Sequence, residues 1–174
     1  MSRTPRITLR PATAADARKI HALIVAHQEE GRLLPRILAE VEARAERFLV
    51  AVKGRAIVGC VELAPLSPHI AEVRSLVVDR TARHHRVGVR LVEALRLCAR
   101  REGYDTLCAF THAPGYFSSM GFLVVPHQRI PEKIATDCRA CSQFQQCGQY
   151  AMMLPLDAHI ERHAHHTIPL VLHT

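Results

Sequence analysis

The sequence predicts a mixed α/β domain in which short strands flank one long amphipathic helix. Three observations predict it. Between Phe48 and Asp79 lie three strand-like apolar runs, joined by a tight Lys53-Gly54-Arg55 turn and a looser Ser67-Pro68-His69 connection, the pattern of an antiparallel meander. The apolar period then lengthens: Leu91, Val92, Leu95, Cys98 and Ala99 form one helical stripe, with Arg90, Glu93, Arg96 and Arg100 opposite. Gly103 closes that helix and residues 106–110 follow as an apolar strand. Strand, helix and strand thus make a βαβ unit with two parallel strands, where a ligand site is expected.

In chain order, residues 7–10 read as a strand closed by Pro11. Thr13-Ala-Ala-Asp16 has the form of a capping box and starts a helix whose apolar face is Ala17, Ile20, Leu23, Ile24 and His27, with Gly31 just past its end. Pro35 suits the first turn of a second helix running through Leu38 and Val41 to about Ala45. Strands over 48–52, 56–66 and 72–79 precede the long helix, 87–102. A short helix over 116–120 and strands over 122–125 and 151–156 complete the globular part. The expected order is β-α-α-β-β-β-α-β-α-β-β. Residues 1–156 form one domain, with a Cys-rich excursion over 126–149; residues 157–174 form a tail carrying His159, His163, His165, His166 and His173. No internal repeat suggests a second domain.

Composition narrows the function. A chain of 174 residues, 48% hydrophobic, can bury a core of its own. No apolar stretch approaches the roughly 20 residues that span a bilayer, and the start lacks the apolar core of a signal peptide, so a cytoplasmic protein without membrane partners is expected. In a reducing compartment the six cysteines are thiols or metal ligands rather than disulfides. The net charge of +7 favours anionic partners. Nucleic acid is disfavoured, because aromatics are 5%, Trp is absent and the arginines are scattered along helical segments.

The segment from Leu76 to Leu91 takes a buried strand through a basic turn into a helix. Such a turn offers unpaired backbone N–H groups and the positive end of the helix dipole, which suits a pyrophosphate, and Arg83, Arg86 and Arg90 add charge. This segment resembles motif A of the GNAT superfamily of acetyltransferases, with Arg83 at the first position of the phosphate loop and Gly88 at the last. Arg86 stands where the family carries a small residue. The resemblance implies the GNAT fold, in which the fourth and fifth strands splay apart around the cofactor. It also implies acetyl-CoA as co-substrate, held by Leu76, Val77, Val78, Arg83, His84, His85, Arg86, Val87, Gly88, Val89 and Phe117.

A second match, Pro114-Gly-Tyr-Phe-Ser-Ser-Met-Gly-Phe122, is similar to the family's short helix and following strand. Phe117 stands where many relatives carry an acidic tyrosine. Tyr116, the adjacent phenol, is either that acid or, pointing elsewhere from a helix, a pocket wall. Leu33-Leu-Pro-Arg36, Gly59-Cys60, residues 71–78, residues 130–134 and the Asp137-Cys-Arg-Ala-Cys141 segment resemble short stand-alone N-acetylglutamate synthase-like proteins of bacterial arginine biosynthesis. That implies glutamate as acceptor. Its two carboxylates call for cationic forks, for which Arg36 and Arg74 are candidates, with a helix-capping Arg36 and a solvated Arg74 as the alternatives. The alternative acceptors are another amino acid, a polyamine or a protein N-terminus, and Arg86 and Phe117 at their positions also suit a non-catalytic acyl-CoA-binding or regulatory module.

Acetyl transfer needs a neutral amine. Glu72 matches the place where some relatives hold a base, or else makes an ion pair on its strand. The N–H of Leu76 or Val77 is a candidate to polarise the thioester carbonyl. Cys138, Cys141 and Cys147 have metal-like spacing, and zinc would need a fourth ligand from Cys108, Asp137 or a tail histidine. The pattern lacks a second close pair, so thiols that pack a loop are the expectation and no metal is assigned. A homodimer is compatible with the sequence.

Overall fold

The computed structural model describes residues 6–31, 33–142 and 144–156; the histidine-rich tail lies outside them. Seven strands form one mixed sheet: β1 (Ile7–Pro11), β2 (Phe48–Lys53), β3 (Ala56–Pro65), β4 (Ile70–Val78), β5 (Thr106–Thr111), β6 (Leu123–Val125) and β7 (Tyr150–Pro155), in the spatial order β1-β2-β3-β4-β5-β7-β6. All neighbours are antiparallel except β4 and β5. The helices are α1 (Ala17–Ala26), α2 (Gln28–Gly31), α3 (Leu38–Ala43), α4 (Val87–Arg101), α5 (Pro114–Ser118) and α6 (Pro131–Thr136). The expected α/β order is therefore present, with α2 and α6 as additional short helices. None of the described helices is long and apolar enough to cross a membrane.

Local chemistry sets the ends of these elements. Asp16 accepts from the Thr13 N–H at 2.9 Å and from both terminal nitrogens of Arg10 at 2.7 and 2.9 Å, which fixes the entrance to α1. The Arg10 guanidinium holds that carboxyl far below the usual range. The second helix starts later than expected. Pro35 does not sit in its first turn; Ile37 is extended at φ −88°, ψ 148° and caps the helix from Leu38. The His21 imidazole bonds the Arg36 carbonyl at 2.9 Å and pins this extended stretch, so Leu33, Leu34 and Arg36 line the central cleft.

Three apolar clusters hold the layers. Val87, Leu91 and Leu95 of α4 pack with Val61, Val73, Leu107 and Met152 on one face of the sheet. On the other face Ile20, Ile24 and Val41 cover β2, β3 and Val77, while Ile130 packs with Cys108 and Ala151 in a third cluster. Along β4 the side chains alternate, with Ala71 and Val73 in the α4 cluster. Glu72 and Arg74 point the opposite way, into the polar gap between the other two clusters.

Candidate active site

Parallel pairing between β4 and β5 covers only Ile70↔Thr106, Ala71↔Leu107 and Glu72↔Cys108. Beyond Glu72 the strands part, and a cleft of about 700 Å³ opens between them. On its other edge β4 is bulged: Cys60 pairs with Val77 and Glu62 with Arg74, so Ser75 and Leu76 together face Val61. Ser75 takes φ +52° to make that bend. The bulge and the splay leave backbone of β4 around Leu76 open to the cleft.

One end of the cleft is the turn into α4. Asp79 accepts from the Thr81 N–H at 2.9 Å and starts a 3-10 turn over Arg80–His85. Arg86 then caps α4 in the left-handed region, φ 53°, ψ 28°. This conformation explains why a small residue suits the position, since it costs a residue with a Cβ roughly 1–2 kcal/mol. It also directs the chain so that Gly88 is buried at the helix start, where a Cβ would lie 2.2 Å from the Tyr116 hydroxyl oxygen. Arg83 donates to the Val78 carbonyl at 3.1 Å and pairs with Glu30, as does Arg80 at 2.7 Å. Arg86 pairs with no described residue. Leu76, Val77, Val78, Arg83, Arg86, Gly88, Val89 and Phe117 line the cleft; His84 and His85 lie exposed on the turn and Val87 is in the core.

Tyr116 also lines the cleft, the place of a pocket-wall residue. Phe117 beside it turns inward and stacks edge-on against Phe122 with centroids 5.2 Å apart, so both aromatics of α5 border the cleft. Burial raises the Tyr116 phenol above its ordinary pKa.

The other end is a charged cluster in the polar gap. Glu72 is 4% exposed and Lys133 6%. Lys133 Nζ donates to Glu72 Oε1 at 2.9 Å and Oε2 at 2.8 Å, and to Asp137 Oδ2 at 2.7 Å. Arg74 bonds Glu72 Oε2 through Nε at 2.9 Å and through Nη2 at 2.5 Å, and reaches Asp137 as well. Arg74 is therefore not a solvated strand residue, and Glu72 is not a free base: both its oxygens are held by cations. Burial alone would raise Asp137, but the Lys133 ammonium keeps it below its ordinary pKa. Arg36 lines the same cleft, half-buried, and its guanidinium makes no hydrogen bond or ion pair with any described residue. Burial and the nearby Arg74 charge lower its pKa. Lys133 is not among the residues that the sequence singles out, although it stands four before Asp137 in a stretch that resembles the N-acetylglutamate synthase-like proteins.

Cys138, Cys141 and Cys147 are free, and among the described residues no three His, Cys, Asp or Glu side chains come together to hold a metal ion. Cys108 is buried at the start of the splay, where desolvation pushes its thiol well up.

Residues 44–124 match the family profile described as the acetyltransferase (GNAT) domain. An uncharacterised N-acetyltransferase of Chlorobaculum tepidum is 30% identical over 148 residues, covering 85% of this chain and 96% of that protein. The chain belongs to the GNAT acetyltransferase family. This GNAT chain is also 30% identical to an amino-acid acetyltransferase of Pseudomonas putida over 125 residues, which is 71% of this chain but only 29% of that longer protein. In fold it resembles the N-acetylglutamate synthase of Neisseria gonorrhoeae complexed with coenzyme A and N-acetyl-glutamate, at TM-score 0.78 and 23% identity, over 90% of this chain and 36% of the other. A Mycobacterium tuberculosis protein in complex with CoA gives TM-score 0.71 at 22% identity, over 85% and 98%. The protein is an acetyl-CoA-dependent N-acetyltransferase. The α4 turn fits that co-substrate: the first-turn N–H groups lack helical partners, Gly88 presents no side chain, and Arg86 is free to meet phosphate.

Proposed function

We propose that this acetyltransferase acts on the α-amine of an acidic amino acid, L-glutamate first, and so serves arginine biosynthesis. The observation that carries the proposal is Arg36, a half-buried guanidinium in the cleft with no partner among the described residues, beside an Arg74 held in place by Glu72 and Asp137. A guanidinium left unpaired in a half-buried site calls for an anion, and a carboxylate matches its fork. The amino-acid acetyltransferase relatives and the N-acetyl-glutamate complex of the N. gonorrhoeae fold neighbour support the same acceptor class.

The acceptor amine attacks the thioester directly. Acetyl-CoA supplies the acyl group and a thiolate that leaves readily, its pKa being about 8 to 9. The Leu76 N–H, on the bulged stretch of β4, would stabilise charge on the thioester oxygen. With both oxygens engaged by Lys133 and Arg74, Glu72 does not take the ammonium proton, and the amine deprotonates to water in the open cleft. Tyr116 stays protonated at neutral pH and forms the wall beside the α4 turn.

Release of CoA thiol, followed with acetyl-CoA alone and then with glutamate, glutamine, a polyamine or a peptide N-terminus, tests the reading. Turnover that depends on glutamate supports it. Turnover with the polyamine or the peptide and none with glutamate refutes the acidic acceptor while leaving the acetyltransferase intact.

A further inference from the structure

The connection between β6 and β7 is far longer than two antiparallel neighbours need, for which two to five residues suffice. Its fully buried Ile130 seals against Cys108 and Ala151 and anchors α6 on the sheet. That anchor sets Lys133 over the Phe110 ring, with Nζ 5.3 Å from the centroid, and drives its ammonium between Glu72 and Asp137. A lysine at 6% exposure is a costly way to build a wall that an apolar side chain would seal. Its charge therefore calls for a purpose.

Charge balance supplies one. Facing the acceptor end are the cations Arg36, Arg74 and Lys133 and the carboxylates Glu72 and Asp137, while Glu62 is buried behind Arg74 on the adjoining strand. Lys133 and Arg74 between them satisfy both carboxylates by direct bonds, and the Arg36 guanidinium, which senses the buried Glu62 charge without bonding it, keeps its donors free. Without Lys133, Glu72 and Asp137 would share Arg74 alone, and their remaining demand would fall on Arg36.

We propose that Lys133, delivered by the Cys-rich excursion, is a specificity-determining positioning residue: by neutralising Glu72 and Asp137 it keeps Arg36 free for the acceptor's second carboxylate. This rests on the acidic-acceptor reading above. It makes the excursion the part of the chain that selects for acceptor charge.

The test compares kcat/KM for glutamate and for glutamine, which differ in one charged group, in the wild type, Lys133→Met, Lys133→Arg and Asp137→Asn proteins. Wild type should prefer glutamate. Lys133→Met should reduce that preference by at least about tenfold, with the KM for acetyl-CoA unchanged. Lys133→Arg should keep the preference within about threefold, because it restores the charge. Asp137→Asn moves the balance the other way and must raise the preference for glutamate; it carries the test if Lys133→Met does not fold. Equal losses on both acceptors, or an unchanged preference in Asp137→Asn, would overturn the assignment of Lys133 alone. A wild type that treats the two acceptors alike overturns the acidic-acceptor reading, and this inference with it.

Discussion

At the α4 end of the cleft the working groups are largely backbone and come from one continuous stretch, residues 76–91. At the Glu72 end they are side chains drawn from four places: Arg36 before α3, Glu72 and Arg74 on β4, Lys133 on α6 and Asp137 just after it. The first kind of site tolerates exchange of most side chains around it, provided the left-handed turn at Arg86 and the bare Gly88 persist. The second has no such slack, since each charge there is compensated by the others. Binding a common cofactor asks little of particular residues, whereas choosing an acceptor asks a great deal.

Substitutions can break this contrast, and the largest effect falls on the charged end. Glu72→Ala leaves Lys133 and Arg74 short of a buried partner, and breaking such a pair costs about 3–5 kcal/mol. A drop of that size in urea-unfolding stability is expected; a change near zero would show that water already screens the cluster. Arg36→Ala probes the same end without that penalty, because Arg36 has no described partner to strand. Its KM for glutamate should rise by roughly ten- to a hundredfold, a loss of about 1.5–3 kcal/mol, at unchanged stability.

At the other end, Gly88→Val puts a side chain where the Tyr116 hydroxyl now sits, 2.2 Å from the new Cβ. Calorimetry should find acetyl-CoA bound at least about tenfold more weakly, with the glutamate KM little changed. Unaltered cofactor affinity in the folded protein would remove the pyrophosphate from this turn. Tyr116→Phe is the mildest, less than about tenfold in kcat, under roughly 1.4 kcal/mol. In the wild type, kcat/KM for the acceptor should climb with pH through one ionisation and level. Burial lifts the phenol above its usual value of about 10, so no falling limb from its proton belongs below that pH. A hundredfold loss with an altered alkaline limb would make Tyr116 the acid.

This division also decides what could be read from the sequence. The meander, the amphipathic α4 and the basic turn are local patterns, and their strands and helices fall within a residue or two of expectation. The bulge at Ser75 and Leu76 was illegible, since it depends on the register of β3 against β4. Arg36 and Arg74 were visible as arginines, but their difference was not, because one having partners and the other none depends on where Lys133 and Asp137 land. Lys133 itself sits in a stretch rich in cysteine, which drew attention to metal ligands and away from an ion pair formed 61 residues from Glu72.

Among the described residues, three ladder pairs, Ile70↔Thr106, Ala71↔Leu107 and Glu72↔Cys108, with the Asp105 and Thr106 N–H groups on the His69 carbonyl, form the short backbone seam between the first four strands and the last three. A seam so short is where the sheet's two units should part first, although the core under α4 reaches from Val61 and Val73 to Leu107 and Met152. In hydrogen exchange, amides along this seam should open more readily than those within the β2–β3–β4 meander. A molecule lodged in the gap and touching both units resists that opening. Acetyl-CoA should therefore slow exchange first at the seam and raise the melting temperature with its concentration, so that the enzyme is completed as a single cooperative body by the molecule it consumes.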